Sequence, residues 1–225
     1  MTPTQQRLQP FYLAVPFTAV ITGLFNLSET LPAPLALLAG AAWGIVLGLI
    51  ATWLNTKATL SAWLEDGFVY LGIVGFAFAG CGGLMAILML DGALGASSLT
   101  AEALEALFLP SIPYYIVVNS ALELLVIPGL LYFGWRAGKR RVLILAAAGL
   151  YFAMRVWTYL AFVPARMGWA EAEHSGEALS AAERRQAASD LMVDDPRWIL
   201  LLVMLAILLV AAYLPRVRER KTRTA

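Results

Sequence analysis

The sequence predicts an all-helical protein, a polytopic membrane bundle of six transmembrane helices with both termini in the cytoplasm. Three observations support this fold class. The 225 residues are 60% hydrophobic and only 14% charged, with a mean hydropathy of +0.74, whereas soluble domains have about 45–50% apolar and about 25% charged residues. The apolar residues form continuous runs of membrane-crossing length, and the basic residues gather on one side of the bilayer that these runs would cross.

The six predicted spans cover residues 11–28, 34–54, 68–90, 113–135, 141–163 and 198–214. A helix needs about 20 apolar residues to cross a bilayer. Because lipid cannot hydrogen-bond an open backbone, only helices and closed barrels cross it, and these runs lack the alternation of barrel strands. The first run is interpreted as a retained helix, since its flank carries only Arg7 and no small-residue cleavage site follows. Residues 1–225 are therefore interpreted as one integral-membrane domain.

The basic residues predict the orientation. With six spans, eleven Lys and Arg residues fall on the side of the termini and four on the other. Cytoplasmic loops are enriched in Lys and Arg, so both termini are expected on the cytoplasmic side of the cell (inner) membrane. The tail at 215–225 is interpreted as an anchor for anionic lipid headgroups. Membrane lipid is thus an expected partner, and nucleic acid is not.

Two segments on the opposite side, residues 100–109 and the long connector at 164–197, are expected to be partly helical. Thr100 can cap a short helix to about residue 109, and Ser180-Ala-Ala-Glu183 is a capping-box pattern that opens a helix to about residue 193. A connector as long as 164–197 is unusual in a small bundle. Two interpretations stay open: it covers the mouth of the bundle, or it is an amphipathic helix on the membrane surface.

Small residues mark helix faces on which another backbone can approach closely. The predicted helix-packing residues are Gly40, Gly44, Gly48, Gly80 and Gly83. Tight packing, within the bundle or between protomers, is the favoured interpretation. The alternative is an unwound point at 80–83 that lines a cavity. A homo-oligomer or a membrane-protein partner is consistent with the first interpretation.

Two charged residues lie inside apolar runs, where a charge costs about 3 kcal/mol on insertion scales. Glu123 precedes the turn at Gly138 by 15 residues and Arg155 follows it by 17, so in antiparallel helices their depths differ by about 3 Å. Pairing lowers the cost of burying either charge, and we expect an ion pair. Pro128, five residues after Glu123, is expected to kink the helix nearby, as Pro16 is in the first span.

Residues at helical spacing add polar side chains to the helix faces that carry Glu123 and Arg155. Asn119 lies one turn before Glu123, whereas Tyr151, Thr158 and Tyr159 lie one turn from Arg155. The predicted ligand-binding residues are therefore Glu123, Arg155, Asn119, Tyr151, Thr158 and Tyr159. The planar guanidinium of arginine suits carboxylate and phosphate groups. A glutamate beside it should stay ionised, which argues against a simple proton relay. That the pair only staples two helices stays an open alternative.

The composition excludes several kinds of site. With one histidine, His174, and one cysteine, Cys81, the chain has no histidine pair for haem, no histidine cluster for metals and no CxxC motif for thiol exchange. Motifs of serine hydrolases, zinc proteases and phosphate-binding loops are also absent from the sequence. We predict no catalytic residue, no metal ligand and no cofactor.

Three functions are compatible with this pattern. The favoured one is binding or transport of a small lipophilic or anionic molecule between the fourth and fifth helices. The second is a non-catalytic subunit or assembly factor that docks a partner through the glycine-rich faces. The third is a lipid-modifying enzyme with Glu123 as general base, which the lack of a nucleophile–base pair disfavours. The two halves show no sequence repeat, so an inverted-repeat transporter is not supported.

Overall fold

A computed structural model describes residues 10–27, 31–134, 138–172, 174 and 176–214. This part of the chain is helical apart from its connections and one isolated bridge between Thr100 and Ala178. Its helices are α1 Phe11–Phe25, α2 Ala33–Leu54, α3 Ala58–Leu94, α4 Ala101–Phe133, α5 Lys139–Glu171, α6 Ala181–Asp190 and α7 Arg197–Tyr213. The basic tail, Arg7, and the predicted span ends at 28 and 135 lie outside the described residues.

Four helices, α2 to α5, are long and apolar enough to cross a membrane, and their most apolar stretches have mean hydropathies from 1.5 to 2.2. Helices α1 and α7 are apolar but shorter, with 15 and 17 residues. Large apolar side chains point outward; Leu38 and Leu49 of α2 are 64% and 61% exposed. The all-helical class is confirmed for the described residues, and the apolar helices are compatible with a membrane protein.

Several helices extend past the apolar runs. Helix α3 begins ten residues before the predicted span and ends four after it, and α5 continues through Pro164 to Glu171. The connector predicted from residue 164 therefore begins only after α5, which corrects its boundary. The segment after Thr100 is not a separate helix, because a 3-10 turn at Leu109–Ser111 joins it to the rest of α4. Hydropathy marks where an apolar stretch ends, whereas the hydrogen-bonded helix continues beyond it.

The glycine faces are used for packing inside the chain. On α2, a Cβ at Gly44 would lie 3.0 Å from the Cα of Val15 in α1, and one at Gly48 would lie 2.7 Å from the Tyr132 hydroxyl. On α3, Cβ atoms at Gly80 and Gly83 would meet α7 at 3.1 and 3.3 Å. Helix α3 is continuous through residues 80–83, so the alternative of an unwound point there is wrong.

The described residues form two hydrophobic cores. The larger lies between α1, α2, α3, α4, α5 and α7 and includes the fully buried Phe76, Tyr151 and Met204. The second, which we call the α6-end core, joins the end of α3 to α4, α5 and α6 through Leu90, Leu99, Ala101, Leu104, Phe108, Trp169, Leu179, Ala187, Leu191 and Val193. Because α6 packs into this core, the structure favours the interpretation in which the connector covers the end of the bundle.

Both predicted helix caps are present. The Thr100 hydroxyl accepts a hydrogen bond from the Ala103 amide at 3.1 Å. The Ser180 amide donates to the Glu183 carboxylate at 2.7 Å, and the Glu183 amide donates to the Ser180 hydroxyl at 3.3 Å. Hydrogen bonds with Ser180 hold the pKa of the Glu183 carboxyl below its ordinary value. The side chain of Ser180 contributes more to this lowering than its backbone does. Helix α6 ends at Asp190, earlier than predicted, and Met192 has a positive φ of 49°.

Candidate functional site

Helices α4 and α5 each contain one π-helical turn just before a proline. The turn Leu122–Val126 precedes Pro128, and Thr158–Phe162 precedes Pro164. A proline has no amide hydrogen, and its ring collides with the carbonyl four residues earlier in a regular helix; a wider turn relieves that collision. Glu123 and Tyr159 are each the second residue of their turn, so matching local distortions bring these two side chains together.

Glu123 and Arg155 form the ion pair predicted from the sequence. The Arg155 Nε donates to the Glu123 Oε1, and the two residues are only 3% and 6% exposed. The Arg155 Nη2 donates to the Tyr159 hydroxyl at 2.7 Å. That hydroxyl donates to the Glu123 Oε2 at 3.1 Å, and the Tyr151 hydroxyl donates to Oε1 at 3.3 Å. We call these four residues the Glu123 cluster.

Aromatic rings enclose the Glu123 cluster. The Phe76 ring packs on Tyr151 with centroids 5.6 Å apart, and the Phe25 ring meets Tyr159 edge-on at 6.3 Å. Tyr151 is completely buried. In so apolar a setting the attraction between the opposite charges is strong, and removal of either one is costly. Two cavities of the structure, of about 400 and 610 Å³, are lined by other residues.

The structure brings four of the six predicted site residues into one hydrogen-bonded group. Thr158 is buried beside it, but its hydroxyl donates to the Met154 carbonyl at 2.8 Å rather than to Glu123 or Arg155. Asn119 is half-buried, and its side chain makes no hydrogen bond with any described member of the group. Helical spacing thus predicted the four members of the cluster, whereas Asn119 and Thr158 do not join it. That the cluster binds a ligand stays a prediction.

Arg197 extends the polar region toward α6, although hydropathy alone marks it only as a loop charge. Its Nη1 donates to the Thr158 hydroxyl at 2.8 Å, and its Nε donates to Asp195 at 2.6 Å. The Arg197 amide also donates to the Asp195 carboxylate at 3.0 Å. The sequence did contain a signal for this contact, because Asp195 lies two residues before Arg197 at the start of an apolar run. An acid and an arginine at this spacing can pair at the beginning of a helix and remain buried.

A second buried ion cluster lies at the opposite end of the bundle. Arg140, at the start of α5, is 8% exposed and contacts Asp66 at 2.8 Å and Glu65 at 3.4 Å, both in α3. Charge counting places Arg140 only in a basic cytoplasmic turn and misses this contact. A signal was present in the sequence: Glu65 and Asp66 come just before an apolar run and are predicted on the same side of the bilayer as Arg140.

Trp43 of α2 compensates for Pro128 in the backbone of α4. In a regular helix the Leu124 carbonyl would accept from the amide four residues later, but that residue is Pro128, which has none. The Trp43 indole Nε1 instead donates to the Leu124 carbonyl at 2.7 Å. This contact fixes the π-helical turn against α2, one residue away from Glu123.

Comparisons with known protein families, with curated proteins and with solved structures found no match for this chain. Among the residues that the structure describes, no three His, Cys, Asp or Glu side chains lie together as a metal site would require. The chemistry that the Glu123 cluster offers is that of a charged, hydrogen-bonding site in an apolar interior. Its Arg155 can bind a carboxylate or phosphate in two-point fashion.

Proposed function

We propose that the chain is a six-span protein of the inner membrane, with both termini in the cytoplasm, that binds or transports a small lipophilic or anionic molecule at the Glu123 cluster. The observation that carries this proposal is the meeting of two π-helical turns at one buried ion pair. Such turns are rare and are frequently found at functional sites. Pro128 and Pro164 account for the turns themselves, and the placement of both turns at the same buried cluster is what supports a ligand site.

In this proposal Arg155 exchanges partners. An anionic group of the ligand takes the place of a Glu123 oxygen on the Arg155 guanidinium, while the Tyr151 and Tyr159 hydroxyls continue to donate to the Glu123 carboxylate. Every charge then keeps at least one hydrogen-bonded partner, which limits the cost of the exchange. Since Arg155 is 6% exposed, a ligand can enter only if neighbouring groups such as Phe25 move aside.

The test distinguishes an ion pair that binds a ligand from one that only holds two helices together. Glu123→Gln and Arg155→Met each leave a buried charge without its partner, and we expect each to destabilise the purified protein by about 3–5 kcal/mol. The double variant removes both charges and should recover most of that stability. If the pair binds a ligand, the double variant will lack small molecules that co-purify with the wild-type protein, as measured by native mass spectrometry.

The matched control is the buried ion cluster at the opposite end of the bundle. Arg140→Met combined with Glu65→Gln and Asp66→Asn removes all three charges of that cluster. That variant should retain the co-purifying molecules. A Glu123–Arg155 double variant with wild-type stability and the wild-type complement of bound molecules would show that the pair is a structural staple.

The alternative of a subunit that docks a partner through its glycine faces is not favoured. Gly40, Gly44 and Gly48 are covered by α1 and Tyr132, and Gly80 and Gly83 are covered by α7. A partner helix could reach these faces only by displacing helices of the same chain.

A further inference from the structure

A groove separate from the Glu123 cluster runs between α3 and α4 near α6. It encloses about 400 Å³, and its walls include Phe78, Met85, Met89, Phe108 and Tyr114. Phe78, Met85 and Met89 are 59%, 62% and 46% exposed, so the groove opens sideways on the apolar surface of the bundle. Its volume falls in the range of about 300–1,000 Å³ that is usual for small-molecule sites.

The tyrosines of the groove have their hydroxyls fixed. The Tyr114 hydroxyl donates to the Phe78 carbonyl at 2.7 Å, and the Tyr115 hydroxyl donates to the Gly82 carbonyl at 3.0 Å. Both hydrogen bonds cross from α4 to α3 and hold the helices at the separation that leaves the groove between them. The groove is therefore part of the fixed helix packing.

Two guanidinium groups lie near the groove. The Arg166 side chain reaches Leu191 of the α6-end core, and Leu90 and Phe108 of the same core line the groove. Arg166, Arg197 and Asp195 all interact electrostatically with Tyr115, another lining residue. Arg197 is paired with Asp195. The Arg166 Nε donates to the Leu191 carbonyl at 3.1 Å, and its guanidinium lies 4.3 Å from the centre of the Phe162 ring.

Arg166 therefore has spare binding capacity. Within the described part of the chain, no carboxylate forms an ion pair with it, and its two terminal nitrogens donate to no protein acceptor. Asp195 is paired with Arg197 and not with Arg166, so these three side chains carry a net positive charge. An anion would balance that charge, and a planar guanidinium binds phosphate through two parallel hydrogen bonds.

We propose that the groove and Arg166 together bind an anionic membrane lipid. Its acyl chain lies in the groove beside Phe78 and Met85, and its phosphate accepts hydrogen bonds from Arg166. The guanidinium matches the phosphate of such a lipid, and the apolar walls match its acyl chain. This site uses none of the residues of the Glu123 cluster, and the proposal does not depend on the function of that cluster.

The experiment measures binding of phosphatidylglycerol and phosphatidylcholine with identical acyl chains to the purified full-length protein by native mass spectrometry. The wild-type protein should prefer phosphatidylglycerol. Arg166→Gln should weaken phosphatidylglycerol binding about fivefold, which corresponds to about 1 kcal/mol for one basic residue near an anionic lipid surface, and leave phosphatidylcholine binding unchanged. The control Arg185→Gln removes the same charge from an exposed position on α6 and should have little effect.

A second pair of variants tests the groove. Ala86→Phe puts a ring into it and should weaken the binding of both lipids, whereas Leu88→Phe changes an exposed residue outside the groove lining and should not. The double variant Glu123→Gln/Arg155→Met should keep the lipid preference, so failure of the proposed function would not change this result.

Three outcomes would overturn the proposal. Equal losses in Arg166→Gln and Arg185→Gln would indicate general surface electrostatics. Wild-type lipid binding by Ala86→Phe would show that the chain does not lie in the groove. Displacement of phosphatidylglycerol by equimolar inorganic phosphate would show that the site recognises a free anion.

Discussion

At the scale of single residues, Tyr159 is the point on which the buried site depends. Its hydroxyl accepts from Arg155 and donates to Glu123, so it contacts both charges of the pair. Tyr151 donates to Glu123 alone, at the longer distance of 3.3 Å. Both tyrosines were predicted from helical spacing around Arg155, because positions one turn apart share a helix face.

Tyr159→Phe should therefore destabilise the protein more than Tyr151→Phe. The first variant leaves an Arg155 donor and a Glu123 acceptor each one partner short, and such losses cost about 1–3 kcal/mol per buried group. The two variants are matched, since each deletes one hydroxyl from a buried ring. Chemical unfolding in a constant detergent measures the difference, and a larger loss for Tyr151→Phe would contradict this order.

Residue-scale prediction failed where the partner is distant in sequence and hydropathy marks the residue as a loop charge. Thr158 and Arg197 are 39 residues apart, and Asp66 and Arg140 are 74 apart. Neither pair follows a helical period, and the packing of α7 against α5 and the start of α5 against α3 brings them together. Periodicity predicts which side chains share a face of one helix, but it does not give the relative positions of different helices.

At the scale of elements, the π-helical turn of α4 depends on a side chain from another helix. Pro128 deprives the Leu124 carbonyl of its regular donor, and the Trp43 indole replaces it at 2.7 Å. The sequence predicts a distortion at Pro128 but identifies no tryptophan as its partner. The signal that was present, a proline five residues after a buried charge, does not specify what satisfies the exposed carbonyl.

A double-mutant cycle measures this compensation. Trp43→Phe should destabilise the wild-type protein by about 1–3 kcal/mol, because the carbonyl loses its donor. In the Pro128→Ala background the loss should be smaller, since the substituted alanine supplies an amide hydrogen. Unfolding free energies of the four proteins give the coupling, and equal losses in both backgrounds would show that the indole acts only through packing.

The glycine face of α2 provides a second element-scale prediction. A Cβ at Gly44 would meet the Thr18 hydroxyl and the Val15 backbone, so Gly44→Ala should destabilise by about 1–3 kcal/mol through overpacking. Gly149 of α5 is the control, because a Cβ there meets open space, and Gly149→Ala should be neutral or stabilising. Thermal unfolding compares the two, and equal effects would remove Gly44 from the packing face.

At the scale of the whole molecule, the apolar runs predicted the all-helical class and the positions of the helices, although not their ends. Two cores organise the described residues, and only the larger one could be anticipated from the spans. The α6-end core draws on Leu90, Phe108, Trp169 and Leu191, which belong to different parts of the chain. Its members look like ordinary interfacial residues in the sequence, since their burial depends on how the connector folds back.

The proposed orientation is tested by labelling from the two sides of the membrane. Arg140 is a poor probe because that residue is buried in an ion cluster, whereas Lys139 and Glu177 are exposed. In a Cys81→Ala background, Lys139→Cys should react with an impermeant maleimide only from the cytoplasmic side and Glu177→Cys only from the other. Reaction of both from one side would overturn the six-span arrangement.

The α6-end core also has a consequence for the order in which the chain matures. Its residues come from 90–108 and from 169–193, and the Leu179 amide donates to the Leu99 carbonyl at 2.8 Å. The ribosome therefore has to release most of the chain before Leu90 and Phe108 meet their partners, and non-local contacts of this kind form slowly. This apolar surface stays uncovered until late in synthesis. A chain truncated before residue 193 would keep it exposed, and we expect such a chain to bind chaperones and to be degraded by proteases.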